Sequence, residues 1–263
     1  MASNSTEPVG EAVFGIAALE PSSVTLNGKH CTLTRLSLEY SPALYQNVAG
    51  VDNASLWTYL PRGPYLDENS FTEHVNFLCQ DRPFFTFAIW SSSTLHISNQ
   101  GAQFEAACSP ETPIGLIAYL NIVPEHRSIE IGHILFPKTL QRTTAATEAV
   151  YLLIKHCFED LHYLRVEWKA NNHNEPSKRA ALRFGFLFEG VFKKHMVVKG
   201  KHRDTAWFSI TDDEWHAPHG VKSAFEAWLK ESNFEEGKQR KRLEDFRSST
   251  TRTESDHKVS GLY

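Results

Sequence analysis

The chain has few of the features that mark a membrane protein or a nucleic-acid-binding protein. It is 263 residues long, and none of its apolar runs approaches the roughly 20 residues that a membrane-spanning helix needs. Its formal net charge is −4, so it lacks the basic excess typical of proteins that bind phosphate backbones. We therefore expect a protein that binds neither nucleic acid nor a membrane.

The cysteines lack any metal-binding or disulfide pattern. Cys31, Cys79, Cys108 and Cys157 are far apart, without the spacing of metal ligands. Free thiols in a reducing compartment are the simplest interpretation. The apolar segment 13–19 has no basic flank, so a signal peptide is not predicted. These observations predict a cytoplasmic protein without a bound metal ion.

Composition divides the chain into one domain with two polar ends. Residues 1–22 are small and polar, which predicts a flexible N-terminal arm. A single domain is expected over residues 23–232, with a Ser-, Asn- and Gln-rich insert loop at 91–113. Residues 233–263 are charged and rich in Ser and Thr, which predicts a disordered tail.

The domain is organised around a β-α-β-α unit at residues 130–183. The apolar run 129–136 is typical of a strand buried on both faces, and Pro137 ends it. A polar turn leads from there into a helix. A second strand at 163–168 is followed by a polar loop and by a short helix that Gly185 ends.

Two helix N-termini therefore begin beside two neighbouring strands. A helix start offers unpaired backbone N–H groups and the positive end of a dipole, which suits a diphosphate. If the turn from Gln141 to Thr147 binds one, the hydroxyls of Thr143, Thr144 and Thr147 are candidate donors. Without further evidence, an ordinary capped helix start explains the same residues.

Motifs at both helix starts are similar to those of a known family. Gln141-x-x-Thr144-x-Ala146 resembles the phosphate-binding signature Q/R-x-x-G-x-G/A of the GNAT superfamily of acyl-CoA N-acyltransferases. The likeness covers roughly residues 24–232. Two further motifs, in the order and spacing of the RimJ/RimL branch, are Asn174-x-x-Ser177 and Phe184-Gly185-Phe186-x-x-Glu189-Gly190.

The resemblance implies a fold, a co-substrate and a reaction. The fold is of the α/β class, with a splayed, mostly antiparallel mixed sheet and helices on both faces of a single domain. The reaction is direct attack of a primary amine on the thioester of acetyl-CoA, without a metal. The residues expected to contact the coenzyme are Leu135, Phe136, Gln141, Arg142, Thr143, Thr144, Ala145, Ala146, Thr147, Asn174 and Ser177.

The chain departs from the family pattern at two positions. Thr144 replaces the first glycine of the phosphate signature, so the loop cannot use the freedom of glycine at positive φ. Ala181 stands where many members have a tyrosine that acts on the departing thiolate. Ser177 stands where RimL-like relatives have a serine, so its hydroxyl is the candidate donor to the sulfur.

Three side chains are candidate bases for the amine: Glu130, His133 and His195. Glu130 is favoured slightly over His195, with His133 third. Glu130 and His133 are three positions apart, so they lie on opposite faces of a regular strand, and only a bulge would bring them together.

The acceptor and the quaternary state stay open at this point. Trp57, Tyr59 and Phe85 are expected to bind the acceptor amine, and a closed aromatic pocket of this kind favours a small-molecule amine. A peptide N-terminus is the alternative acceptor. An acyl donor longer than acetyl is a third, weaker alternative. A non-catalytic acyl-CoA sensor is a different class of function, motivated by Thr144 and Ala181. The protein is expected to be a monomer or a homodimer.

Overall fold

The computed structural model describes residues 12–80, 83–91, 111–235 and 238–247. The strands are β1 (Leu26–Asn27), β2 (Cys31–Arg35), β3 (Phe84–Ser91), β4 (Gly115–Val123), β5 (Ser128–Leu135), β6 (Arg165–Asn171), β7 (Leu187–Val198), β8 (Lys201–Thr211), β9 (Phe234–Glu235) and β10 (Lys238–Gln239). The α-helices are α1 (Ser41–Val48), α2 (Glu68–Leu78), α3 (Thr144–Lys155), α4 (Glu175–Phe184), α5 (Asp212–His216) and α6 (Val221–Trp228).

Eight of the strands form one mixed sheet in the order β1-β2-β3-β4-β5-β6-β8-β7. All its neighbouring pairs are antiparallel except β5 and β6, which are parallel because α3 connects them. Helices lie on both faces, and the predicted fold class is confirmed. No helix in the described ranges is both long and apolar enough to cross a membrane.

The two faces of the sheet have separate apolar cores. One core joins α3, α4 and α6 to the sheet, and Tyr119 of β4 donates a hydrogen bond from Oη to the carbonyl of Leu153 in α3 at 2.9 Å. The other core joins α1 and α2 to the opposite face, around Trp57 and Phe71. We call these the α3/α4 face and the α1/α2 face.

A bulge interrupts β5 near its end. Gly132 lies opposite Ala118 of β4 and Leu135 lies opposite Leu116, so three steps along β5 match two along β4. Inside the bulge, His133 has a φ of 47°. The bulge changes the direction of β5 close to the point where β6 separates from it. Bulges often have this effect beside functional sites.

The parallel pairing of β5 with β6 is short. It runs from Ser128 opposite Arg165 to Glu130 opposite Glu167. The two strands therefore separate after Glu130, and the bulge in β5 follows directly, turning the strand before its last residues are reached.

The chain ends are more ordered than composition suggests. Leu19, within the predicted arm, donates its backbone N–H to the carbonyl of Leu161 at 2.9 Å. Residues 238–247, assigned from sequence to a disordered tail, fold back onto α4 and α6, with Leu243 fully buried. Positions 1–11 of the arm, 92–110 of the insert and 248–263 of the tail lie outside the described residues.

The folded C-terminal segment reaches the end of α4. Arg247 donates from Nη1 to the carbonyl of Arg183 and from Nη2 to that of Leu182, both at 3.0 Å. Gly185 ends α4 with a φ of 100°, and a Cβ there would lie 2.5 Å from Arg247 Nη1. Glycine therefore provides both the left-handed cap and the space that the arginine fills.

Candidate active site

The separation of β5 and β6 opens a gap through the sheet. Beyond Glu130, the edge of β5 that faces β6 has no strand partner among the described residues, whereas β6 continues to pair with β8 as far as Asn171. The gap is the space between the two diverging strands, with the α3/α4 face on one side of the sheet and the α1/α2 face on the other. An extended chain bearing amide groups fits such an edge in the way that an added strand does.

The N-terminus of α3 lies on one side of this gap. Thr143 caps it, accepting a hydrogen bond from the amide of Ala146 at 3.1 Å, and the amide of Thr147 donates to the carbonyl of Thr143 at 3.3 Å. The amides of Thr144 and Ala145 precede the first helical hydrogen bond and have no intrahelical acceptor. They are the donors that this helix start offers to an anion.

The threonine hydroxyls are less available than predicted. Thr143 Oγ1 donates to the carbonyl of Leu140 at 2.6 Å, and Thr147 Oγ1 donates to the carbonyl of Thr143 at 3.2 Å. Both side chains are buried, so neither hydroxyl is positioned as a donor to a diphosphate. Thr144 is half-buried and remains the candidate hydroxyl.

The rest of the predicted coenzyme loop is fixed by its own contacts. Gln141 Nε2 donates to the carbonyl of Phe136 at 2.8 Å, which braces the turn. Arg142 is exposed with a φ of 61°. Leu135, Ala145 and Ala146 are buried, so a ligand reaches them through their backbone.

Ser177 lies at the start of α4, on the same face of the sheet as α3. Asn174 caps this helix by accepting from the Ser177 amide at 3.2 Å. The Trp168 indole donates from Nε1 to Ser177 Oγ at 3.0 Å, so the hydroxyl accepts one hydrogen bond and keeps its own proton to donate. Ala181 is fully buried in the core one turn further on.

Glu130 is buried on the α1/α2 face at the closed end of the gap. Lys169 Nζ lies 2.9 Å from Oε2, and Asn121 Nδ2 donates to the same oxygen at 2.5 Å. The other oxygen, Oε1, points towards Gly132, where a Cβ would lie 3.4 Å from it. Burial raises the pKa of this carboxyl, although Lys169 and Asn121 oppose the rise.

His133 lies in the bulge and contacts the rings of α2 and of its flanking segments. Its ring centroid is 5.5 Å from that of His74, 5.3 Å from Phe84 and 6.3 Å from Trp57. Burial lowers the pKa of His133 to about 3. Its Nε2 is buried and has no hydrogen-bond partner among the residues that the structure describes.

His74 is a residue of this region that the sequence did not single out. It is buried on α2, and burial lowers its pKa to about 4. Neither of its ring nitrogens has a hydrogen-bond partner within the described ranges. The available signal was its position three residues after Phe71 and four before Leu78, on the apolar stripe of an amphipathic helix.

His195 belongs to the β7–β8 hairpin and is exposed. Its Nδ1 lies 3.0 Å from Thr205 Oγ1, and its ring is 5.9 Å from that of Trp207. Lys169 Nζ lies 4.0 Å from the centroid of the same Trp207 ring. His195 is therefore on the face that carries Glu130 and Lys169.

All three candidate bases thus share the α1/α2 face. Glu130 lies opposite Leu120, which is opposite Phe84, and Phe84 contacts His133. The expected separation of Glu130 and His133 onto opposite faces does not occur, because the bulge lies between them. Sequence analysis named a bulge as the one way to bring Glu130 and His133 together, but could not establish that β5 contains one.

The three predicted acceptor-binding aromatics are not together. Trp57 is fully buried, with Nε1 donating to the carbonyl of Val48 at 2.7 Å. Tyr59 Oη donates to the carbonyl of His173 at 3.1 Å. Phe85 is a correction: it is buried on the α3/α4 face beside Phe87, because its neighbour Phe84 takes the opposite face of β3.

The residues at the gap fit an acyl-CoA better than a metal ion. Among the residues described, no group of three His, Cys, Asp or Glu side chains is arranged to hold a metal. The free amides of α3, the unpaired edge of β5 and the Ser177 hydroxyl are the donors that a diphosphate, an amide chain and a sulfur would use.

Comparison with known proteins identifies the family. The model of the acetyltransferase (GNAT) domain matches residues 32–187, more than half of the chain. The protein is a GNAT acetyltransferase. This confirms the family predicted from the helix-start motifs, and use of acetyl-CoA follows from membership. A solved GCN5-related N-acetyltransferase from Brucella melitensis is 35% identical, with a TM-score of 0.77, covering 88% of this chain and 97% of that one.

Further relatives agree with this assignment. A probable GNAT acetyltransferase structure from Chromobacterium violaceum is 32% identical, with a TM-score of 0.67, over 81% of this chain and all of that one. The putative ribosomal N-acetyltransferase YdaF of Bacillus subtilis is 34% identical over 101 residues, 38% of this chain and 55% of that protein. The chain thus matches about half the length of such curated relatives.

Proposed function

We propose that this GNAT acetyltransferase transfers the acetyl group of acetyl-CoA to a primary amine by direct attack on the thioester. The gap between β5 and β6 carries the proposal. The starts of α3 and α4 lie on one face of the sheet and the candidate bases on the other, so that donor and acceptor approach one opening from opposite sides. A single displacement needs that arrangement.

Ser177 is assigned to the leaving group. Trp168 already donates to its oxygen, so the hydroxyl proton is free to hydrogen-bond a developing thiolate. The same indole contact orients the side chain, while the Asn174 cap, which accepts from the Ser177 backbone amide, holds the backbone at the start of α4. Backbone amides on the open edge of β5 near Leu135 polarise the thioester carbonyl, a contact typically worth about 3 kcal/mol.

Glu130 is assigned as the base. Oε2 is held by Lys169 and Asn121, whereas Oε1 faces the space that Gly132 leaves beside the bulge. The raised pKa of Glu130 is closer to the pKa of a protonated amine, which makes the carboxylate a stronger base. His133 suits the role less well, because a pKa of about 3 makes its imidazole a weak base. His195 is the second candidate.

A small-molecule acceptor is favoured by the way in which the segment after α1 closes over this face. Residues 57–65 are tied at two points to elements bordering the gap. Lys199 Nζ, at the tip of the β7–β8 hairpin, donates to the carbonyl of Trp57 at 2.8 Å, and Tyr59 Oη donates to the carbonyl of His173 at 3.1 Å. A covered mouth admits a small amine more easily than a folded protein.

A peptide N-terminus is the second candidate acceptor. It is favoured by the name of the Bacillus subtilis relative, a putative ribosomal N-acetyltransferase, which is 34% identical over 101 residues. The acyl-CoA sensor remains the candidate outside catalysis, on the strength of Thr144 and Ala181 in place of the usual glycine and tyrosine.

One experiment separates these functions. The full chain is incubated with acetyl-CoA and a panel of primary amines and N-terminal peptides. Release of the coenzyme A thiol and the mass increase of the acetylated amine are both measured. We expect small amines to gain the acetyl group. Transfer to peptides alone would support the second acceptor, and tight coenzyme binding without transfer to any amine would support the sensor.

A further inference from the structure

The transfer proposed above uses neither the buried imidazole of His74 nor that of His133, since Glu130 is the base assigned there. Their ring centroids are 5.5 Å apart, yet three of their four nitrogens, His74 Nδ1 and Nε2 and His133 Nε2, have no hydrogen-bond partner in the part of the chain that the structure describes. A neutral imidazole has one donor and one acceptor, and a buried polar group left unpaired typically costs about 1–3 kcal/mol. Two neighbouring side chains of this kind indicate a ligand that forms hydrogen bonds with their ring nitrogens.

Aromatic rings surround the pair. Tyr65 stacks on His74 with centroids 4.6 Å apart, and Trp57 meets it edge-on at 5.5 Å. Phe77 lies 6.2 Å from His74, and Phe84 lies 5.3 Å from His133. We call these four aromatic residues and the two histidines the imidazole cage.

The cage adjoins the reaction gap and reaches the surface. His133 follows Gly132, the residue beside Glu130 Oε1. Tyr65, Phe77 and Phe84 are only half-buried, so the cage borders the surface of the α1/α2 face. A group bound in the cage therefore lies on the same face of the sheet as Glu130.

The charge acting on both histidines is that of Arg62. Its guanidinium lies over the outer side of Phe77, 4.4 Å from the ring centroid. Burial is the largest cause of the lowered pKa of both imidazoles. Arg62 lowers the pKa of His74 further, and for His133 the effect of His74 comes before that of Arg62, so both stay neutral at pH 7 and each keeps a donor and an acceptor. A second positive charge inside the cage is disfavoured by the same field.

We propose that His74 and His133 bind an uncharged hydroxyl group of the acceptor within this cage, so that the preferred substrates are primary amines with a hydroxyl on an aromatic frame. This inference rests on the proposed function and names its acceptor class. A group that both donates and accepts matches two neutral imidazoles, whereas a hydrocarbon leaves their nitrogens unpaired.

Matched amines test the proposal. Phenethylamine is compared with tyramine and with 2-amino-1-phenylethanol, which each add one hydroxyl, and with phenylalanine, which adds a carboxylate. Acetyl transfer gives kcat/KM, and calorimetry in the presence of coenzyme A gives Kd without turnover. We expect at least one hydroxylated amine to have a kcat/KM about tenfold higher and a Kd about tenfold lower than phenethylamine, as one hydrogen bond to a buried partner predicts.

Variants assign the preference to the cage. His74→Phe is expected to abolish the preference for the hydroxylated amine, so that its kcat/KM equals that of phenethylamine. His74→Asn, which keeps a donor and an acceptor, is expected to restore part of the preference. His156→Phe is the matched control, since His156 is also buried with an unpartnered Nε2 but packs against Tyr119 on the α3/α4 face. It is expected to leave the preference unchanged.

The outcomes separate the two proposals. Transfer to amines with no preference for a hydroxyl, or with a preference that His74→Phe leaves intact, overturns the cage and leaves the transferase. A preference for phenylalanine overturns the neutral-hydroxyl assignment. Failure of every amine to be acetylated overturns the proposed function, and with it the reading of the cage as an acceptor site.

Discussion

Glu130 and Lys169 join β5 to β6 at the point where the two strands separate, with Lys169 Nζ 2.9 Å from Glu130 Oε2. Lys169 also lies 2.8 Å from Glu167 and over the face of Trp207. The ion pair holds one oxygen of Glu130 and leaves the other beside Gly132. A carboxylate fixed in this way is oriented towards the gap before any substrate arrives, which is how catalytic groups are preorganised.

Glu130→Gln is predicted to lower kcat by about 100-fold, because the amide cannot accept the proton of the amine. Binding of acetyl-CoA, measured by calorimetry, should be unchanged. Glu167→Gln is the matched control, since Glu167 contacts the same lysine but is not the carboxylate beside Gly132. Equal losses in the two variants would remove Glu130 from the role of base.

Lys169→Gln is predicted to move the acidic limb of the pH–rate profile upwards. Lys169 lowers the pKa of Glu130 against the larger effect of burial, so its loss raises that pKa further. Because only the ionised carboxylate accepts a proton, activity should then appear at a higher pH, by about one unit or more. A limb that stays in place would show that a different group titrates.

Ser177→Ala is predicted to lower kcat by about 10–100-fold while coenzyme binding stays near normal. Trp168→Phe, which removes the indole contact but not the hydroxyl, should give a smaller loss of kcat. Ser223→Ala is the control, because Ser223 makes a comparable hydrogen bond in α6, to the carbonyl of Gly220. Unchanged turnover in Ser177→Ala would exclude the serine from the mechanism.

Tyr59→Phe tests the covering of the acceptor mouth. The change removes the hydrogen bond to the His173 carbonyl and keeps the ring. One such contact is worth about 1 kcal/mol, so we expect kcat/KM for peptide acceptors to rise by up to about fivefold, with small amines little affected. A loss confined to small amines would instead give the hydroxyl a direct role in binding them.

Acidification is predicted to destabilise the protein through His74 and His133. Their pKa values are lowered to about 4 and about 3 in the folded state, whereas an unfolded histidine titrates near about 6.5. Between these values the unfolded state binds more protons, so stability falls as pH falls from about 6.5 to about 4.

For His74 alone this amounts to on the order of 3 kcal/mol. The measurement is urea unfolding across that range, with His74→Phe compared with the parent chain. The slope of unfolding free energy against pH should be smaller in the variant. Parallel curves for the two proteins would show that His74 is accessible to protons in the folded state.

Much of the fold could be predicted from local patterns. The motif Phe184-Gly185-Phe186-x-x-Glu189-Gly190 marked the end of α4 and the start of β7, and its residues have visible structural duties. Glu189 pairs with Arg165 at 2.7 Å and accepts from Ser209 at 2.7 Å, linking β6, β7 and β8. Such contacts hold neighbouring strands of the sheet together and belong to the fold.

The site was less predictable because it depends on long-range geometry. The bulge at His133 sets both the face of that side chain and the point where β5 leaves β6, and no local signal fixes its position. Phe84 and Phe85 are indistinguishable by composition, and only strand register decides which one faces α2. His74 looked like an ordinary member of an apolar stripe until its neighbours were known.

The central claim is that acetyl-CoA occupies the gap between β5 and β6. A crystal structure of the complex with coenzyme A tests it most directly. We predict the diphosphate at the amides of Thr144 and Ala145, the pantetheine along the open edge of β5, and the sulfur within hydrogen-bond distance of Ser177. Coenzyme bound elsewhere, with the gap closed by protein side chains, would contradict the account.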